Sequence, residues 1–250
     1  MLTFKVAERS MIIRAVCRIA IIVVFAGFSL HATTLVLGNP PMLGSGNCDP
    51  FGCPGFIGLG TYQQVYLSSA FPTSISIAGL TFYEGQVFNG GVPSGGTYTI
   101  SFSYTSFDPG GLSTVSPGDN ETSGTQTFFT GTLPALTPET GGFYLNITGT
   151  PFVYNPADGN LLLTVSVTGA TSTGPVLYLN EAACGPKTSC PTGATVVSGD
   201  VYFGTTNGGN VQGGLVTGFD YTSLLSTPEP ASLLLVLTGV ALIGARLRRR

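Results

Sequence analysis

What this chain lacks sets its first limits. Between Thr33 and Thr227 there is no histidine, no tryptophan and no arginine, and Lys187 is the sole basic residue. The one histidine, His31, precedes that body. Without imidazole the body cannot assemble a Ser-His-Asp or Cys-His nucleophile, nor any histidine-ligated metal site. Without arginine it has no bidentate partner for phosphate. Ten acids against one lysine leave it at −9, which excludes nucleic acid as a partner. The absence of tryptophan counts against a strong sugar-stacking platform. Charged residues make up only 8% of the chain, so glycine and short hydroxyl or amide side chains supply a surface that is polar but not ion-paired. No stretch of the body repeats its apolar residues every three to four positions, so a helical fold is excluded as well.

The charge that is present collects at the ends. Lys5, Arg9, Arg14 and Arg18 precede the apolar run Ile19–Phe28, and Ala32 offers a small residue for cleavage before Thr33. Residues 1–32 are therefore expected to be a signal peptide with a helical apolar core, which implies export. A start at Met11 would give a more compact signal. Cys17 lies ahead of the apolar core with no small-residue lipobox, so a lipoprotein is not expected. At the other end, Pro228-Glu229-Pro230 is followed by the uncharged run Ala231–Ala245 and then by Arg246, Arg248, Arg249 and Arg250. Fifteen residues of helix reach about 22 Å, short of a hydrocarbon core of about 30 Å, and the arginines can snorkel to the headgroups. Those arginines hold the C-terminus in the cytoplasm, with the body on the far side of the membrane. Two prolines keep the junction extended and accessible.

These three ordered parts, over residues 226–250, resemble the PEP-CTERM sorting signal of exopolysaccharide-producing bacteria. The resemblance implies an exosortase-type processing protease as partner and the inner membrane as a transient location. It also implies delivery to the cell surface or extracellular matrix. Two internal stretches, Tyr62-Gln63-Gln64-Val65-Tyr66 and Pro151-Phe152-Val153-Tyr154 with Gly159-Asn160-Leu161-Leu162-Leu163, are similar to pieces that recur in secreted proteins of that class. No activity attaches to them.

The remaining residues, 33–225, are expected to form one β-sandwich domain. Tyr98, Ile100, Phe102 and Tyr104 alternate with Thr97, Thr99, Ser101 and Ser103, the pattern of a strand with one buried face. Phe143, Leu145 and Ile147 alternate in the same way, as do Leu161, Leu163, Val165 and Val167, and Leu215 through Tyr221. Weaker strands are expected at 62–67, 74–83, 125–129, 176–179 and 195–203, with a bulge at Ala78-Gly79 and a loop-rich lead-in from Thr33 to Gly60. Turn formers such as Asn89-Gly90-Gly91 and Asp158-Gly159-Asn160 separate them. The fold class expected is mainly β: two antiparallel sheets, jelly-roll-like, with a signal helix before and a membrane helix after. A β-solenoid is second, because no fixed period is present.

Cys48, Cys53, Cys184 and Cys190 are disulfide candidates in an exported chain, with three connectivities open; zinc is the sharper alternative. Of the carboxylates, Glu84, Glu121, Glu139, Asp158, Glu181 and Asp200 could supply a glycosidase pair, but none lies in a motif. Asp108, Asp119, Asn120, Glu121, Asp158 and Asn160 are the loop oxygens a calcium ion would use. No other cofactor is expected. The expectation is an exported, noncatalytic surface or matrix protein with a structural or adhesive role. A carbohydrate-binding module for exopolysaccharide, with Tyr144 and Tyr202 outward, is the main alternative, and a carboxylate glycosidase the third.

Overall fold

In a computed structural model, residues 33–38, 46–53, 60–85, 90–139, 142–171, 174–181, 198–203, 211–212 and 214–224 are described, with backbone alone for 198–203 and 211–212. The expected signal peptide and sorting tail, and Lys187, Cys184 and Cys190, lie outside them. Among the described residues no helix is long and apolar enough to cross a membrane.

Among the described residues, eleven strands form two antiparallel sheets packed as a sandwich. They are β1 (Thr33–Leu37), β2 (Thr61–Tyr66), β3 (Ile75–Tyr83), β4 (Gly95–Thr105), β5 (Ser123–Gly131), β6 (Thr137–Glu139), β7 (Gly142–Tyr154), β8 (Asn160–Thr171), β9 (Ser198–Phe203), β10 (Val211–Gln212) and β11 (Thr217–Ser223). One sheet has the order β1-β11-β3-β7-β6. The other sets β2-β8-β4-β5 side by side and continues through β9 and β10 on the β2 side.

The alternating apolar residues explain the packing. Tyr98, Ile100 and Phe102 of β4 and Leu161, Leu163 and Val165 of β8 face Ile77, Leu80, Phe82, Leu145, Ile147 and Phe219 of the opposite sheet, all wholly or almost wholly buried. Aromatic pairs bridge the layers, with Phe102 stacked on Phe152 at 5.2 Å and Tyr66 edge-on to Phe219 at 5.0 Å. The expected bulge is present: the β3–β7 register shifts between Ile77 and Gly79, and β11 answers with a shift between Asp220 and Tyr221. On one side the two sheets nearly touch. A Cβ on Gly149 of β7 would lie 2.3 Å from the Phe128 carbonyl oxygen of β5, and Gln126 Nε2 donates to Pro151 O beside it.

Three expectations need correction. Thr33–Leu37 is not loop but edge strand β1, paired with β11 from Thr33↔Tyr221 to Leu37↔Thr217. Residues 176–179 form no strand; Val176 and Leu179 make only isolated bridges to Val92, Asn47 and Glu84. The outer face of the sheet that holds β2, β4 and β8 is not solvated along its length. The segment 106–122 lies over it, so Leu162 and Ser103 are buried alongside Val65, Leu112 and half-buried Phe107.

That cover is fastened by Gln63, while its neighbour Gln64 ties β2 to Leu215. Gln63 points outward: its Nε2 donates to Thr164 Oγ1 and Pro117 O, and its Oε1 accepts from Asn120 Nδ2. Gln64 points into the core. There Nε2 donates to Leu215 O at 2.8 Å, while Oε1 accepts from Leu215 N and from the Tyr62 hydroxyl. Thr217 Oγ1 also donates to Leu215 O, so the Tyr66 hydroxyl must be the donor in its 2.8 Å contact with Thr217. β2 is buried on both faces because its polar residues are spent on these bonds.

Candidate functional site

Three places outside the core could carry chemistry. At one end, Asn47–Cys53 folds back on itself and Cys48 is bonded to Cys53. Ser94 N donates to Phe51 O and ties the loop to the start of β4. Cys48, Asp49 and Cys53 are the only described histidine, cysteine or acidic side chains close enough to share an ion. Their two sulfurs are bonded to each other, so this pair has no thiolate for zinc. Burial pushes the Asp49 carboxyl up to about 6 from its ordinary 3.8.

That shift has a signed consequence. The folded chain holds a proton that the unfolded chain releases, so the contribution of Asp49 to stability is full below about pH 4. It is lost as pH rises through about 6. Asp49→Asn should therefore gain on the wild type between pH 4 and 7, by no more than about 3 kcal/mol. Urea midpoints measured without reductant at both pH values check this. Parallel pH profiles of the two proteins would contradict it.

Nearby, Glu84 is 4% exposed at the end of β3. Its Oε1 accepts from Gly90 N and Gly91 N at 2.9 and 3.0 Å, tying those residues to the end of β3, while the buried Oε2 has no hydrogen-bond partner. The other glycosidase candidates sit on different segments of the chain. Glu121 accepts from Thr125, Asp158 from Asn155, and Glu139 stands exposed on β6. Glu181 bridges to Leu215, and the side chain of Asp200 lies outside the described residues.

The calcium donors are likewise dispersed into structural roles. Asp108 and Asn160 meet, but through an Asn160 Nδ2 donor, which leaves that amide facing the carboxylate with a proton. Asn160 Oδ1 caps Ser68 N, and Asp119 accepts from Ser113. Asn120 is fully buried between Ser113 and Gln63.

The second place is an apolar groove of about 460 Å³ between 90–95 and 132–136, walled by Val92, Leu133, Leu136 and Phe143. None of its described lining residues is charged.

The third is the outer face of the five-stranded sheet, and it has the most order. Tyr83 stands opposite Tyr144, their rings edge-to-face at 4.9 Å. The next row outward is Val36, Gly218, Thr81 and Asn146, and the one after it Thr34, Asp220, Gly79 and Thr148. The two glycines matter because long side chains lie across them. A Cβ on Gly218 would sit 2.6 Å from the Tyr83 hydroxyl, and one on Gly79 would sit 2.8 Å from the Asp220 carboxylate. Thr34 Oγ1 donates to Asp220 Oδ1 at 2.6 Å, and Thr81 Oγ1 donates to Asn146 Oδ1 at 2.9 Å. Burial, then Tyr144 and Asp220, hold the Tyr83 hydroxyl above its ordinary pKa.

Tyr144 was legible from alternation as an outward tyrosine, whereas Tyr83 was not. It ends the run from Ser74, where the bulge reverses the parity. The side chain of Tyr202, the other expected outward tyrosine, is outside the described residues.

The architecture defines a mainly β, two-sheet antiparallel sandwich. Beyond that class, the chain matches no protein-family model, no curated protein and no solved structure.

Proposed function

We propose that this is an exported, noncatalytic protein of the cell surface or extracellular matrix with a structural or adhesive role. In this reading the body is a jelly-roll-like sandwich carried to its destination by the PEP-CTERM tail. The observation that carries it is the fixed order in residues 226–250: Pro228-Glu229-Pro230, an apolar run, then Arg246, Arg248, Arg249 and Arg250. The body supports it by what its polar groups do. Gln63, Gln64, Asn120 and Asn160 are buried and hydrogen-bonded through both amide atoms to other parts of the fold.

On this reading the partner is an exosortase-type protease, met at the inner membrane. Alanines at 228–230 should block release and leave the uncut protein in the inner membrane, with the melting temperature of the body unchanged. Fractionation of a producing cell that carries an exosortase tests this. A simple tail anchor predicts membrane-bound protein with either sequence.

A further inference from the structure

The outer face of the five-stranded sheet offers groups of three kinds within one patch. Tyr83 and Tyr144 are half-buried, so neither side chain is shut away from solvent. Asp220 is an acceptor held in place by Thr34, and Asn146 uses its Oδ1 to accept from Thr81, which turns its amide nitrogen into the donor it presents. Gly218 and Gly79 lower the floor between these groups, so Tyr83 and Asp220 lie along the sheet instead of standing up from it. Tyrosine, asparagine and threonine in strands bind at little entropic cost, because their rotamers are already restricted. From Tyr83 to Gly79 the patch runs four residues along β3, about 13 Å, which suits a short oligosaccharide segment better than a single sugar.

Charge decides which polymer fits. Among the described residues the face carries two carboxylates, Asp220 within the patch and exposed Glu139 on edge strand β6, and no cation, on a body at −9 whose sole basic residue is Lys187. Anionic polymers are repelled by such a field, and phosphate or sulfate groups would find no partner. We propose that this patch, Tyr83 and Tyr144 with Asp220, Thr34 and Asn146, is a binding site for a neutral, hydroxyl-rich polysaccharide. The rings take the C–H face of a pyranose, and Asp220 and Asn146 take its hydroxyls. The inference rests on the surface-protein reading only for where such a polymer is met.

The test is affinity electrophoresis of the full-length chain in a detergent without a sugar headgroup. The gels contain hydroxyethylcellulose, galactomannan or dextran, with alginate as the anionic comparison. Retardation is expected in at least one neutral gel and none in alginate. Tyr144→Ala should weaken the dissociation constant about tenfold. Asp220→Asn and Asn146→Ala should each weaken it severalfold while leaving the melting temperature in place, and they decide the matter if Tyr144→Ala does not fold. Absence of retardation in all three neutral gels, equal retardation in alginate, or unchanged affinity in Asp220→Asn and Asn146→Ala would each overturn the proposal. The two readings fail separately. A chain that binds but keeps its tail overturns the sorting reading alone, and a trimmed, released chain that binds none of the polymers overturns this one alone.

Discussion

Gln64→Leu is expected to lower the melting temperature by about 10 °C, although leucine fills nearly the same volume. Gln64 is wholly buried and occupies both the donor and the acceptor of Leu215 while accepting the Tyr62 hydroxyl. Leucine can do none of this. The Leu215 N–H would be left dry and unpaired at about 1–3 kcal/mol, the Tyr62 O–H would lose this acceptor and Leu215 O this donor at about 1 kcal/mol each, and Leu215 O would keep Thr217. The sum, about 3–5 kcal/mol, corresponds to roughly 10 °C for a domain of this size, at about 2–4 °C per kcal/mol. Thermal unfolding followed by near-ultraviolet circular dichroism measures it. A melting temperature within about 2 °C of the wild type would mean that the network contributes little to the fold.

Gly149→Ala should cost nearly as much, by a different mechanism. Its Cβ would stand 2.3 Å from Phe128 O and 2.8 Å from two atoms of the Phe128 ring. The first obstacle is backbone, so no rotamer change relieves it, and β5 and β7 must separate where the sheets converge. Overpacking of this kind costs about 1–3 kcal/mol, and the loss of the Gln126–Pro151 bond across the same corner adds to it. The expected fall is about 5–10 °C by the same conversion. Gly169→Ala is the comparison for glycine loss alone. Gly169 has φ +64° with open space around it, so it suffers backbone strain without a clash. If both variants fall equally, the corner is not the constraint proposed.

Period-two alternation was enough to locate β4, β7 and β8, because in each of them one face meets the opposite sheet and reads apolar. It could not show that the other face of β8 is covered. Leu162 and Thr164 look like an outer face, and only the fold of 106–122 back over them makes them buried. For the same reason nothing near Gln63 and Gln64 in the sequence marks them as buried. Nothing local tells a buried amide from an exposed one when its partners are some 55 to 150 residues away, as Pro117, Thr164 and Leu215 are.

The missed strand β1 is short and flanked by Gly38, and it exists because β11 offers an edge to pair with. The loop acids and amides suggested calcium from residue type alone. The structure assigns Asn120 and Asn160 to holding segments together. At the outer sheet face, the pairing of Tyr83 with Tyr144 depends on a bulge at Gly79 that sequence indicated, and on a register it could not supply.

The tail is the centre of the functional account, and one measurement reaches it directly. The extracellular and membrane fractions of a producing cell that carries an exosortase are separated, and the C-terminal peptide of the protein is identified in each by mass spectrometry. The account predicts that the extracellular species ends near Pro228-Glu229-Pro230 and lacks Arg246 to Arg250. A dominant species that still ends in Arg248-Arg249-Arg250 would contradict it.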